Sequence, residues 1–238
     1  MCTVSFAPIA GGGHVITSNR DEAVERHGGP PMLRQVGAVT VLAPTDGATG
    51  TTWIAAASNG RQAVLLNGSD AIMHFAAVPA RSRGMILLEA LTNSGPHWAP
   101  DERQLVGVHP FTLLCSAEDG LWMLQWSGTA RTLVELDPLQ PIIRSSTTLY
   151  EESVRAERQR RFDVLCAEGV PAPAELWAFH GTPHLDDVEQ AFVMRRGSSL
   201  RTVSVTQIIV GVEGNASMLY QDLVGDAYSE TALATAPH

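Results

Sequence analysis

Apolar and β-branched residues come in short blocks along most of the chain, set apart by glycine, asparagine or charged turns, a pattern that predicts strands joined as hairpins. Thr3 to Ile9 and His14 to Ser18 flank Gly11-Gly12-Gly13 and form the first predicted hairpin. Its far strand ends in four polar residues, Asn19-Arg20-Asp21-Glu22, which the hairpin brings back toward the start of the chain. Gly28-Gly29-Pro30-Pro31 reads as irregular, and Ala38 to Leu42 as a short strand. Ile54 to Ala57 and Ala63 to Asn67 flank Asn59-Gly60, a dipeptide that tolerates the positive φ of a tight turn, and predict a second hairpin. Its second strand is apolar until Asn67, as burial on both faces requires. Phe111 to Ser116 and Leu121 to Trp126 predict a third, which Thr132 to Leu136 continues.

Helical spacing shows in fewer places. Met85, Leu87, Leu88 and Leu91 behind Arg81 and Arg83 predict an amphipathic helix over Ala80 to Leu91, closed by Asn93-Ser94-Gly95-Pro96. Ile142 to Thr147 reads as a strand ending in hydroxyl-rich Ser145-Ser146-Thr147, with Ser or Thr available to cap the next helix. That helix, Glu151 to Glu168, carries Val154, Phe162, Leu165 and Cys166 among glutamates and arginines spaced for pairing along its surface. Glu175 to Phe179 is a short helix; Gln190 to Arg195, Ser199 to Val210 and Ala216 to Tyr220 are strands; the tail from Asp226 is expected to be loose. Hairpins, a helix in each half and strands again suit antiparallel sheets with helices outside, an α+β layered fold. With no repeat and no linker, residues 1–238 are expected to form a single domain.

Composition narrows the function classes. A net charge of −9 and a pI near 5.3 argue against a nucleic-acid or anionic-membrane partner. The cationic residues are all arginine, which excludes a lysine nucleophile or Schiff base. Cys2, Cys115 and Cys166 are too scattered for a disulfide framework or a paired-cysteine zinc site, and a reducing compartment fits them. The start lacks the basic segment of a signal peptide, and no run reaches the roughly 18 apolar residues of a membrane span, so a cytoplasmic protein is expected. His180 and His184 are separated by Gly and Pro, which preclude a helical metal motif; no metal or other cofactor is expected. A phosphate loop and a GxSxG elbow are both missing.

The candidate chemistry sits at the first residues. Initiator methionine is commonly removed ahead of a small side chain, and removal would leave Cys2 carrying both a thiol and a free α-amine. With an amine near about 7.7–8.0 and a thiol near about 8.5, the amine can accept the thiol proton near neutrality. That is the logic of an N-terminal nucleophile. A thiol at position 2 can equally be incidental at a frayed end, and Asn19 to Glu22 can be a solvated loop; the hairpin that brings the tetrad beside Cys2 favours a site. Asn67 offers an amide donor of the type that holds an oxyanion, or is an ordinary turn former.

Several segments together resemble the NRDE-motif family of the transport and Golgi organisation type. They are Met1-Cys2-Thr3-Val4, Ser18-Asn19-Arg20-Asp21-Glu22, Gly50-Thr51-Thr52-Trp53, Leu65-Leu66-Asn67, Ser82-Arg83-Gly84 and Arg201-Thr202-Val203-Ser204. The resemblance covers nearly the whole length and implies the four-layer αββα sandwich of the N-terminal nucleophile hydrolases, distantly similar to penicillin V acylase and bile salt hydrolase. It implies Cys2 as nucleophile, Asp21 as partner of the α-amine, Arg20 near the thiolate, Asn67 in the oxyanion hole and Arg201 as a late arginine of the site. Where those amidases place a second oxyanion Asn, this chain has Ser145 or Ser146, whose shorter reach weakens the oxyanion hole; one lost donor costs on the order of 3 kcal/mol. The expected activity is hydrolysis of a small-molecule amide through a thioester. The alternative on the same fold is a non-catalytic lipid, acyl-CoA or haem binding or trafficking protein.

Overall fold

The computed structural model describes residues 2–26, 28–93, 98–183 and 187–235. Met1, His184 and the helix-closing residues 94–96 therefore lie outside the described residues. In chain order the elements are β1 (Cys2–Pro8), β2 (His14–Ala23), β3 (Gly29–Val36), β4 (Val39–Thr45), β5 (Ile54–Ala57), β6 (Gln62–Asn67), α1 (Arg83–Thr92) and α2 (Glu102–Leu105). They continue with β7 (Phe111–Ala117), β8 (Gly120–Trp126), β9 (Arg131–Leu136), β10 (Ile142–Ser145), α3 (Glu152–Cys166) and α4 (Pro173–Gly181). The chain closes with β11 (Arg195–Arg196), β12 (Leu200–Val210), β13 (Ala216–Asp222) and β14 (Ala227–Leu233).

Two antiparallel sheets stack face to face. One runs β10-β1-β2-β12-β13-β14, with β11 on β12; the other runs β3-β4-β5-β6-β7-β8-β9 in chain order. Period-two alternation gives each sheet an inner and an outer face. The inner faces share one core of Val4, Phe6, Ile16, Leu42, Ile54, Leu66, Leu114, Ile208 and Met218. Outside the second sheet, α1 lays Ile86, Leu87, Ala90 and Leu91 against Ala55, Ala63, Leu65 and Leu113. Outside the first, α3 and α4 place Phe162 and Leu176 on Ala7, Val15 and Ile143. Helix, sheet, sheet and helix make the αββα sandwich, and burying each such Leu, Ile or Phe contributes about 1.5–3 kcal/mol.

Several elements depart from the sequence expectation. β2 does not stop at Ser18: it continues through the polar tetrad to Ala23, because β1 pairs with it on one side and β12 on the other. Gly29 to Val36 is a strand despite its two prolines, tolerable because β3 is an edge with one neighbour. The strand expected over Gln190 to Arg195 shrinks to β11, two residues against Arg201 and Leu200. The α3 N-cap is Glu151, with no side-chain cap bond; Ser145 and Ser146 lie too far ahead of it to cap, and their hydroxyls bond Thr3 and the Asn67 carbonyl. In place of a loose tail, Ala227–Leu233 pairs with all of β13. Among the described residues no helix is long and apolar enough to cross a membrane.

Candidate active site

β1 and β2 set the site by register. Cys2 pairs with Arg20, Thr3 with Asn19 and Ser145, and Val4 with Ser18. Cys2 and Arg20 thus share the inner face, while Thr3, Asn19 and Ser145 share the outer one. The inner face opens at this end into a cleft of about 320 Å³. Cys2, Arg20 and Glu22 from the first sheet, Asp46, Trp53 and Asn67 from the second, and Arg83 at the start of α1 line it.

Of the residues singled out in the sequence, Cys2, Arg20 and Asn67 meet in this cleft. Asn67 ends β6; its backbone carbonyl accepts from Ser146 Oγ at 2.8 Å, and its side-chain amide forms no hydrogen bond among the described residues. Ser146, one residue past β10, donates its N–H to the Cys2 carbonyl at 2.9 Å and so bonds the backbone of two cleft-lining residues, whereas Ser145 bonds Thr3 Oγ1 at 3.0 Å on the outer face. Arg201 pairs in register with Glu22 but donates to the Leu223 carbonyl and lines a separate recess with Met194 and Thr202.

Asn19 and Asp21 point outward, away from the cleft. The Asn19 amide donates to the carbonyls of His180 and Phe192 at 2.9 and 3.1 Å, and its Oδ1 meets His180 Nδ1. Asp21 accepts from Tyr150 Oη at 2.7 Å and Thr202 Oγ1 at 2.6 Å. Burial raises the Asp21 carboxyl, against the Arg158 charge and both hydroxyl donors. Arg158 belongs to the same buried layer: it stacks 3.7 Å over the Tyr150 ring, bonds Thr3 Oγ1 and donates to the carbonyls of Gln190 and Ala191.

Electrostatics on the inner face are dominated by arginine. Arg20 reaches Asp46 at 2.6 Å and lies 4.2 Å over the Trp53 ring. Arg26 spans Asp46 at 3.0 Å and Glu22 at 3.1 Å. Burial works against the Asp46 charge, but Arg20, the Thr49 N–H and Arg26 together hold its carboxyl below the usual range. Burial pushes the Cys2 thiol up; the Asp21 charge adds to this and the Arg20 charge opposes it. The resting thiol is therefore neutral near pH 7, and a nucleophilic role needs a base beside it. Asp46, Arg26, Trp53 and Arg83 were not among the residues singled out as catalytic. The Trp53 and Arg83 segments did carry the resemblance, while Asp46 lies in a turn whose approach to Arg20 no local pattern encodes.

Residues 1–176 match the family model described as Transport and Golgi organisation 2. Among solved structures, the fold is similar to a mutant of the conjugated bile acid hydrolase from Clostridium perfringens (TM-score 0.52, 11% identity, 98% of this chain and 92% of that one). It is also similar to the Caenorhabditis elegans ortholog of N-acylethanolamine-hydrolyzing acid amidase (TM-score 0.53, 9% identity, 87% of this chain and 92% of that one). At such identities the likeness shows the fold, that of the N-terminal nucleophile hydrolases. No curated protein sequence matches.

Proposed function

The chain belongs to the Transport and Golgi organisation 2 family, and from that premise we propose that it is an amidohydrolase using Cys2 as nucleophile on a small-molecule amide. The observation that carries this reading is the register: Cys2 opens β1 opposite Arg20, in the wall of a cleft that also holds the Asn67 amide, unpaired among the described residues. The names of the two fold neighbours, hydrolases of conjugated bile acids and of N-acylethanolamines, support amide chemistry on this fold. Free cysteines at positions 2, 115 and 166 fit a reducing, cytoplasmic setting.

Loss of Met1 gives Cys2 a free α-amine, which takes the thiol proton. The thiolate attacks the amide carbon, a C–S bond forms, and the carbonyl electron pair moves to oxygen, held by the Asn67 amide and a backbone N–H. Collapse breaks the C–N bond as the α-ammonium returns its proton to the leaving amine. Water, losing a proton to the Cys2 α-amine, then attacks the thioester carbon; the C–S bond breaks, the acid leaves, and the α-ammonium returns its proton to the thiolate. Arg20 favours the thiolate, and Asp21, behind the strand, favours the charged amine.

Intact mass should show Met1 absent, and in that processed form, where the α-ammonium adjoins the thiol and favours the thiolate, iodoacetamide at about pH 6 should label Cys2 faster than free cysteine. On a panel of fluorogenic N-acyl amides, Cys2→Ala should lower turnover by at least about a thousandfold. One observation favours the rival reading, a non-catalytic protein that binds or carries a lipid, acyl-CoA or haem: the Ser146 hydroxyl is spent on the Asn67 carbonyl and withheld from the cleft. Under that reading Met1 is retained or Cys2 labels at the free-cysteine rate, and the hydrolase assignment fails.

A further inference from the structure

Most charges around the cleft pair off. Arg20 and Arg26 share Asp46 and Glu22, and Arg81 meets Glu89. Arg83 has no such partner. Among the described residues no carboxylate lies within ion-pair distance of it, and its hydrogen bonding is limited to Nη1 on the Pro110 carbonyl at 3.3 Å. It is half-buried at the first position of α1 and lines the cleft that Cys2 also lines from the first sheet.

We propose that Arg83 anchors a carboxylate carried by the substrate itself, so that the cleft selects anionic amides over neutral ones. The inference rests on the hydrolase reading for the word substrate, and it deepens that reading by naming the substrate's charge. A half-buried guanidinium loses hydration that only a counter-ion or further acceptors restore. Its planar fork presents parallel N–H groups matched to a carboxylate, and Pro110 occupies one nitrogen only. The first turn of a helix adds positive potential in the same place. Cys2 does not serve as the counter-ion at rest, because burial keeps its thiol protonated. Glu22, in the same cleft, attracts Arg83 only from beyond ion-pair distance, and in a chain of net charge −9 a guanidinium so placed also draws anions to this cleft against the overall field.

The test is calorimetric binding to the Cys2→Ala protein, which forms no tetrahedral oxyanion and so separates carboxylate anchoring from oxyanion stabilisation. Two probe pairs place the charge on either side of the amide: N-hexanoylglycine against N-hexanoylglycinamide, and N-hexylsuccinamic acid against its primary amide. Within at least one pair the acid should bind tighter by about tenfold or more. Adding Arg83→Leu should abolish that preference, Arg83→Lys should keep part of it, and Arg81→Leu should leave it. Equal binding within both pairs, or a preference that survives Arg83→Leu in a protein that still unfolds cooperatively, overturns the proposal. Should Arg83→Leu fail to fold, the Arg83→Lys and Arg81→Leu proteins decide, since a preference unchanged in the first or lost in the second also overturns it. Turnover by the unmutated protein is scored separately: hydrolysis without an acid preference sinks this inference alone, and an acid preference without hydrolysis sinks the hydrolase reading alone.

Discussion

Arg20 shows how much a single side chain can settle. It is almost fully buried, and its charge is tolerable because Asp46 receives it at 2.6 Å and the Trp53 ring lies beneath it. Asp46→Ala should cost about 3 kcal/mol, because it strands a buried cation, and a urea titration followed by tryptophan emission would read both the loss and the changed surroundings of Trp53. A second residue-scale prediction concerns acid. Asn19 gives its amide protons to two carbonyls, so its Oδ1 accepts from His180 Nδ1–H, and His180 Nε2 is left to accept from Ser5 Oγ at 2.8 Å. That arrangement requires a neutral ring, and burial lowers its pKa to about 3, as it lowers His14 to about 4. A base whose pKa falls on folding binds fewer protons folded than unfolded. Its stabilisation is complete above about pH 6.5 and drains away as pH drops toward 3, by on the order of 1–4 kcal/mol per ring. Urea midpoints from pH 7 to pH 4 should fall accordingly, and His180→Gln, weaker at pH 7, should flatten the profile; an equally steep profile in that variant would assign the acid lability to other groups.

At the scale of elements, β2 decides what faces what. Asn19-Arg20-Asp21-Glu22 was legible as polar and as close to Cys2, but four neighbours on a strand cannot all face one way. Arg20 and Glu22 line the cleft, while Asn19 and Asp21 tie the outer face to Tyr150 ahead of α3, to α4 and to the segment around Phe192. Helix α1 is the other positioning element. Gly84 brings its first turn against Thr51 and Thr52, where an added Cβ would collide with the Thr51 side chain and stand 2.7 Å from the Thr52 carbonyl. Gly84→Ala should therefore cost about 1–3 kcal/mol despite alanine's better helix propensity, and should move Arg83 off the cleft wall. A thermal melt checks the first, and loss of the acid preference in the calorimetric pairs checks the second.

For the whole molecule, the last strand carries the clearest consequence. β14 covers the outer edge of β13 and packs near β3 of the opposite sheet, with Leu233 buried in the core between the sheets. Ending the chain at Gly225 should lower the melting temperature by several degrees and promote association through the bared β13 edge, visible by light scattering. A truly loose tail would be removable without effect. The sandwich as a whole also explains why the cleft lies where it does: the two sheets share a core along most of their length, and the cleft opens between them only where the tetrad end of β2 meets Asp46, Trp53 and Asn67.

Local patterning alone determined the hairpins, the two principal helices and their α+β layering, because side-chain period and turn chemistry are properties of neighbours in sequence. It also marked Cys2, Arg20 and Asn67, since each stands at the end of a readable strand. Tertiary structure decided the rest. Which of Asn19, Arg20, Asp21 and Glu22 sees the cleft depends on strand register, Ser146 and not Ser145 neighbours Cys2 for the same reason, and Asp46 and Arg83 reach the cleft only through packing of one sheet on the other. Register and packing join residues far apart in the chain, and no local run of amino acids carries that information.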